Sequence, residues 1–207
     1  MIPFYCIHHK PAVDRKEYLK KFFENHELDV EWIESFLPSS EEVRNQPPVF
    51  SSHSANGSFL NNAEISCFLK HKQALQKIAN SGESGIIVED DIEIPTFPFN
   101  KTIGFFIGEF KRQNVDIGFI GSFSGADIIY DRWPIVVVNS GFKSRCAHCY
   151  FVTAECAQKL VDFCGQIIAP FDWQLNYAIE KLSLRTAWTF PHVNQRTEKG
   201  YIKSLLR

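Results

Sequence analysis

Residues 85–94 read GIIVEDDIEI. Ile86, Ile87 and Val88 form a β-branched run, the composition of a strand buried on both faces. The run ends in three adjacent carboxylates, Glu89, Asp90 and Asp91. In open α/β sheets, ligands sit beyond the carboxyl ends of the strands. Like charges crowded there raise one another's pKa unless a cation compensates. An all-oxygen donor set suits a hard divalent cation, Mn²⁺ or Mg²⁺. Side-chain alternation in extended chain sends Glu89 and Asp91 to one side and Asp90 to the other. Asp91 is then the expected metal ligand, with Glu89 at the metal or on a second contact. A solvated acidic turn is the plain alternative; the buried run before it weighs against that by pinning the triplet to the edge of the core.

Outward from this strand the chain alternates. Residues 2–8 are a short apolar strand, and Tyr18, Leu19, Phe22 and Phe23 share one face of a following helix. A second strand is expected near Val30–Ile33. Residues 38–61, rich in Pro, Ser and Asn and without a period, read as a loop long enough to carry function. Ile65, Phe68, Leu69, Leu75 and Ile78 then recur at helical spacing, with Gly82 just past the helix end. After the triplet come a helix at about 101–113, strands at VDIGFIGSF, RWPIVVVNSGF and AHCYFVT, two more helices, a late strand and a basic coil. Alternation of this kind predicts one α/β domain over 1–207 with a mixed sheet, and a short basic tail at about 196–207.

Composition narrows the function classes. The 207 residues carry 22 Lys plus Arg against 24 Asp plus Glu, a net charge of −2 that argues against a nucleic-acid partner. No apolar run reaches the roughly 18 residues needed to span a bilayer, and MIPFYCIHHK lacks the pattern of a signal peptide. A cytoplasmic protein is expected, and its six cysteines are then reduced. CAHC at 146–149 has no second C-x-x-C to complete a zinc site, so small buried side chains are the expectation.

A phosphoryl-accepting receiver domain also places acidic residues after a strand. There the triplet ends the first strand and an Asp ends a later one; here 88 residues precede the triplet, and GFIGSF has Gly121 where that Asp belongs. The rival fails. The ordered set AEISCFLKHKQALQKI, GIIVEDDIEI, VDIGFIG, AHCYFVTAECAQKLV, PFDWQLNYAI and FPHVNQ instead resembles glycosyltransferase family 25, the lipooligosaccharide-biosynthesis β-galactosyltransferases. An opening strand followed by Asp14 and Arg15 also resembles that family's start.

The resemblance implies a GT-A-like (Rossmann-like) α/β fold with a mixed, mainly parallel sheet flanked by helices. It further implies a UDP-sugar donor, usually UDP-galactose, a divalent metal at the acidic motif, and inverting transfer to a saccharide acceptor. Glu89, Asp90 and Asp91 match that motif, His71 the histidine of its helix, and His148 and Tyr150 a later strand. Glu89, Asp90, His71 and Arg15 are thus the expected donor contacts, with Asp91, Glu89 and His192 as metal ligands. The family's helix glycine and serine are Ser66 and Lys70 here.

Inversion needs a base that is not a metal ligand. Asp172 in APFDWQLN fits, with Trp173 beside it to stack on an acceptor sugar; an N-cap role is the structural alternative. Asp116 and Asp127 are next in line. Arg196, Lys199, Lys203 and Arg207, interleaved with Tyr201, Ile202, Leu205 and Leu206, make a tail suited to the inner membrane surface, where a lipid-linked saccharide acceptor sits. A disordered tail is the alternative. A non-catalytic sugar-nucleotide-binding module is the alternative to an enzyme.

Overall fold

Ile86, Ile87 and Val88 do form a strand, and it lies inside the sheet with neighbours on both edges. The computed structural model describes residues 2–121, 134–140 and 147–196. In chain order the elements are β1 (Phe4–Ile7), α1 (Val13–Asn25), β2 (Val30–Ile33), α2 (Glu41–Arg44), α3 (Asn62–Ser81), β3 (Gly85–Glu89) and α4 (Phe99–Arg112). There follow β4 (Ile117–Gly121), β5 (Ile135–Ser140), β6 (Cys149–Val152), α5 (Ala154–Phe163), α6 (Phe171–Lys181) and β7 (Arg185–Val193). Among the described residues one sheet runs β2-β1-β3-β6-β4-β7-β5. Strands β1, β2, β3, β4 and β7 point one way, and β6 and β5 run against them. The expected mixed, mainly parallel α/β sheet is what forms.

Alternation along the strands divides the core in two. Tyr5, Ile7, Ile87, Phe119 and Tyr150 face a layer built from α3, α5 and α6. Phe4, Cys6, Ile86, Val88 and Phe151 face α1 and α4. Each buried side chain of this size stabilises the fold by about 1.5–3 kcal/mol. Glu89 continues the count from Ile87 and so emerges on the α3 side. That single parity decides which helix the first carboxylate meets.

Helix α3 is sharply bounded. Asn61 accepts from the amides of Ala63 and Glu64, Glu64 accepts from Asn61 N–H, and Gly82 closes the helix at φ 71°. The 38–61 stretch is more ordered than its composition predicts. It contains α2, and a narrow excursion pairs Phe50 with Phe59, held by Ser51 N–H to Ser58 O at 2.8 Å and Leu60 N–H to Val49 O at 2.9 Å. Glu64 Oε1 also takes Ala55 N–H at 2.7 Å, tying the loop to the start of α3. Side chains bonding to backbone supply the order that periodicity would have revealed.

No helix among the described residues is long and apolar enough to cross a membrane. Cys6, Cys149, Cys156 and Cys164 are buried free thiols, as expected of structural cysteines. Cys146, Asp127 and the tail from 197 onward lie outside the described residues.

Gly118 of β4 lies directly against Phe110 of α4. A Cβ at Gly118 would stand 2.3 Å from the ring of Phe110, itself fully buried against Phe151 at 5.1 Å. Gly118→Ala is therefore expected to destabilise the protein by about 1–3 kcal/mol, the range for overpacking. A lower denaturant midpoint at unchanged m-value checks this; an unchanged midpoint contradicts it.

Candidate functional site

Three adjacent carboxylates meet three different surroundings because the strand ends among them. The chain turns at Asp90 and Asp91, so strict alternation holds to Glu89 and then lapses. Asp90 N–H donates to Ile7 O at 3.1 Å, which sets the triplet beside the end of β1.

Asp90 is fastened on all sides. His8 Nδ1 lies 2.8 Å from its Oδ2, His9 N–H donates to the same oxygen at 2.9 Å, and Arg15 Nη1 donates to Oδ1 at 2.8 Å. An ionised carboxylate only accepts, so the His8 proton sits on Nδ1. Burial pushes the Asp90 carboxyl up, but these donors together outweigh it and hold it below the ordinary range. Arg15, expected to touch the donor, here reaches the acidic motif.

Glu89 points instead at α3. His71 Nε2 lies 3.1 Å from Glu89 Oε1, and His71 Nδ1 lies 3.2 Å from the Tyr150 hydroxyl. Phe171 stacks on the imidazole at 4.1 Å. Burial, with Lys70 adding, drives His71 down to about 3, so the ring is neutral. Burial and nearby anionic groups keep the Tyr150 proton on; its hydroxyl donates to Nδ1 and Nε2–H donates to Glu89. Glu89 itself is pushed up to about 7 by burial first and then by the Asp90 charge.

Asp91 has the thinnest support. Gln195 Nε2 stands 3.5 Å from its Oδ1, and Arg196 N–H binds its main-chain oxygen at 2.7 Å. Burial, then Glu89, then Asp90 push Asp91 up to about 7. Two crowded carboxylates whose acidity burial and mutual repulsion weaken suit a hard divalent cation, so the donor chemistry fits Mn²⁺ or Mg²⁺.

The opposite wall comes from α6 and the 50–59 excursion. A cavity of about 310 Å³ is lined by Glu89, His71, Cys67, Glu64, Asp172, Trp173, His53 and Gln195, among others. Asp172 is not the N-cap; Pro170 holds that position, and Asp172 lies in the first turn with Oδ1 accepting Trp173 N–H at 2.9 Å. The helix therefore starts two residues earlier than an Asp172 cap would have implied, behind a proline whose φ is fixed near the helical value. Burial raises Asp172 to about 6 against that hydrogen bond, with Glu89 adding. His53 stacks flat on Trp173 at 3.6 Å.

Glu89, His71 and Asp172 thus meet at one cavity, while Asp90 and Arg15 brace its edge. His192 does not join them: it is half-buried on β7, with its ring edge-on to Phe190 at 5.7 Å, and it is absent from the cavity lining. Asp116 is displaced as a candidate base. It accepts Arg185 N–H at 2.8 Å at the start of β4, the end of the sheet remote from Glu89. His148 is structural, its Nε2 2.9 Å from Val193 O and its ring against Gly121. Sequence reasoning missed His53, Glu64, Cys67, Phe171 and Gln195 as lining residues. The Asn61–Glu64 capping pattern and the Cys67–His71 spacing were the legible signals for two of them.

The raised carboxyls have a measurable consequence. A carboxyl with a raised folded pKa adds stability below its unfolded pKa and loses it as pH rises through the folded value. Asp91→Asn should therefore match wild type near about pH 4 and exceed it in thermal stability around neutrality in EDTA. Added Mn²⁺ should narrow that difference by stabilising wild type alone. Equal melting temperatures across the range would contradict the assignment.

Residues 1–175 match the model of glycosyltransferase family 25 (LPS biosynthesis protein). The chain is also similar to the crystal structure of a glycosyltransferase involved in the glycosylation of the major capsid of PBCV-1. That likeness has 15% identity and a TM-score of 0.47, over 85% of this chain and 74% of that one. No curated protein matches the chain. The matched span takes in the acidic triplet, His71, Tyr150 and Asp172, and the chain belongs to glycosyltransferase family 25.

Proposed function

We propose that this protein transfers galactose from UDP-galactose to a saccharide acceptor, with inversion, in a GT-A-like site that depends on Mn²⁺ or Mg²⁺. The acceptor is a lipooligosaccharide or lipopolysaccharide glycan, or a related surface glycan. The observation that carries this reading is the meeting of Glu89, His71 and Asp172 at one cavity, with Asp91 two residues beyond Glu89 at the end of the same strand. Family membership supports sugar transfer in general. The uridine nucleotide, the galactose and the glycan acceptor follow from the family's character.

Asp91 and Glu89 would hold the cation, which when bound neutralises charge on the departing diphosphate. His71 orients Glu89 and, being neutral and clamped by Phe171 and Tyr150, keeps that carboxylate in one position. Arg15 and His8 fix Asp90, which holds the β1–α1 turn against the triplet where a nucleotide would lie. Trp173 offers an aromatic face for the acceptor ring, and a sugar stacking on it would take the place of His53. Asp172 takes the proton of the attacking acceptor hydroxyl. Its pKa of about 6 leaves it ionised at neutral pH yet basic enough to accept. A lipid-linked acceptor would bring the protein to the cytoplasmic face of the membrane, with the basic tail at about 196–207 as the contact. The intact carboxylates speak against a non-catalytic module.

Release of UDP from a panel of UDP-sugars with Mn²⁺ tests the reading, with UDP-galactose expected to be preferred. Excess EDTA, or Asp91→Asn in a folded protein, should abolish turnover; full activity under either condition overturns the metal assignment. Stabilisation by a nucleotide other than a uridine one would refute the donor.

Asp172→Asn separates the base from a helix-terminal role. Asn serves a helix start as well as Asp does, so stability should hold while turnover falls by ~10²-fold or more with donor binding retained. In wild type, turnover should rise as pH climbs through about 6, where Asp172 loses its proton. The variant's residual activity should lack that rise. Near wild-type transfer by Asp172→Asn would remove it as the base.

A further inference from the structure

The sugar-transfer reading gives Cys67 no role at the cavity. Cys67 stands one turn before His71 on α3, and this i, i+4 spacing puts thiol and imidazole on one helix face. Cys67 Sγ, an imidazole nitrogen of His71 and a carboxylate oxygen of Glu89 all lie within 4.8 Å of one another. Tetrahedral zinc with bonds of ~2.0–2.3 Å sets its donors roughly 3.3–3.8 Å apart. His71 Nε2 and Glu89 Oε1 already stand 3.1 Å apart, and small side-chain rotations close the rest of that gap.

We propose that Cys67, His71 and Glu89 form a zinc site whose fourth position opens on the cavity. Three protein ligands and an open position are a common arrangement for a reactive or exchangeable zinc ion. Sulfur beside nitrogen and oxygen makes the set softer than the all-oxygen pair of Glu89 and Asp91, and so selects zinc over Mn²⁺ or Mg²⁺. The second observation is the support around His71. Its ring is fully buried, stacked on Phe171 at 4.1 Å, and its Nδ1 faces the Tyr150 hydroxyl at 3.2 Å. Metal-binding histidines are held by such a partner on their other nitrogen.

The protons balance simply. The Cys67 thiol proton leaves to solvent and the thiolate pair goes to zinc. The neutral imidazole keeps its one proton, which moves from Nε2 to Nδ1, where the Tyr150 oxygen accepts. Glu89 then serves either this zinc or the hard cation beside Asp91. That competition rests on the sugar-transfer reading; zinc ligation does not.

The test is a titration of the reduced, metal-free full chain with Zn²⁺ against a chromophoric chelator, with Co²⁺ as a spectroscopic substitute. Wild type should take up one equivalent and show a thiolate-to-cobalt charge-transfer band. Cys67→Ser should lose both while keeping its circular dichroism, and Cys146→Ser should keep both. If Cys67→Ser fails to fold, Glu89→Gln must weaken zinc by about tenfold or more. Absence of saturable zinc binding in wild type overturns the site. So does binding unchanged in the folded Cys67→Ser variant, or unchanged in Glu89→Gln where that variant stands in. Loss on Cys146→Ser with Cys67→Ser unaffected places the metal elsewhere and overturns it equally. None of these readings uses turnover, so failure of the sugar-transfer assay leaves them standing.

Discussion

The bonds to Asp90 are the constraint on which the rest of the site depends. Burying a carboxylate is costly, and removing one partner of a buried pair leaves an uncompensated charge. Here the imidazole of His8, the amide of His9 and the guanidinium of Arg15 converge on it from the turn after β1 and the first turn of α1. Those contacts lock the β1–α1 turn to the end of β3. Glu89 and Asp91 crowd beside the charge of Asp90, which adds to the burial that raises them. Neighbours of like chemistry are thereby driven apart in acidity, one held low and two raised.

That asymmetry gives each carboxylate its work. Asp90 is a strut. Glu89 and Asp91 are an electrostatic deficit that a divalent cation would relieve, and in the proposed reaction that cation would offset charge on the departing diphosphate. Asp172 has a third environment, in the first turn of α6, where burial and Glu89 outweigh the pull of Trp173 N–H. In the proposed reaction, carboxyl groups tuned by their surroundings rather than by residue type would divide metal holding from base catalysis.

The positions of the lining residues have ordinary structural causes. His71 is placed by the packing of α3 on one face of the sheet, with Ile65, Phe68, Leu75 and Ile78 as its apolar anchors. Phe171 belongs to the same core and also stacks on His71, so the helix carrying Asp172 and Trp173 is registered against the helix carrying the histidine. The 50–59 excursion reaches across because Glu64 binds both Asn61 N–H and Ala55 N–H. Gln195 is the lining residue beyond the span matched by the family model, which ends at 175.

The strands, the main helices and the acidic motif were legible in the amino-acid sequence because periodicity and a β-branched run are local properties. Alternation alone put Glu89 on the α3 side. Order in 38–61 was not legible, since a single backbone bridge and side-chain-to-backbone bonds hold it rather than a repeating pattern. Nor were the separate fates of Glu89, Asp90 and Asp91, the setting of Asp172 inside the helix rather than at its cap, or the absence of His192 and Asp116 from the cavity lining. Each of these depends on which distant groups arrive: Asp90 is bonded to residues 75 to 82 positions away, and Glu89 to one 18 positions away. Desolvation and hydrogen bonding act through space, so acidity and partnership at this site were decided only when the sheet brought β1, β3 and α3 together.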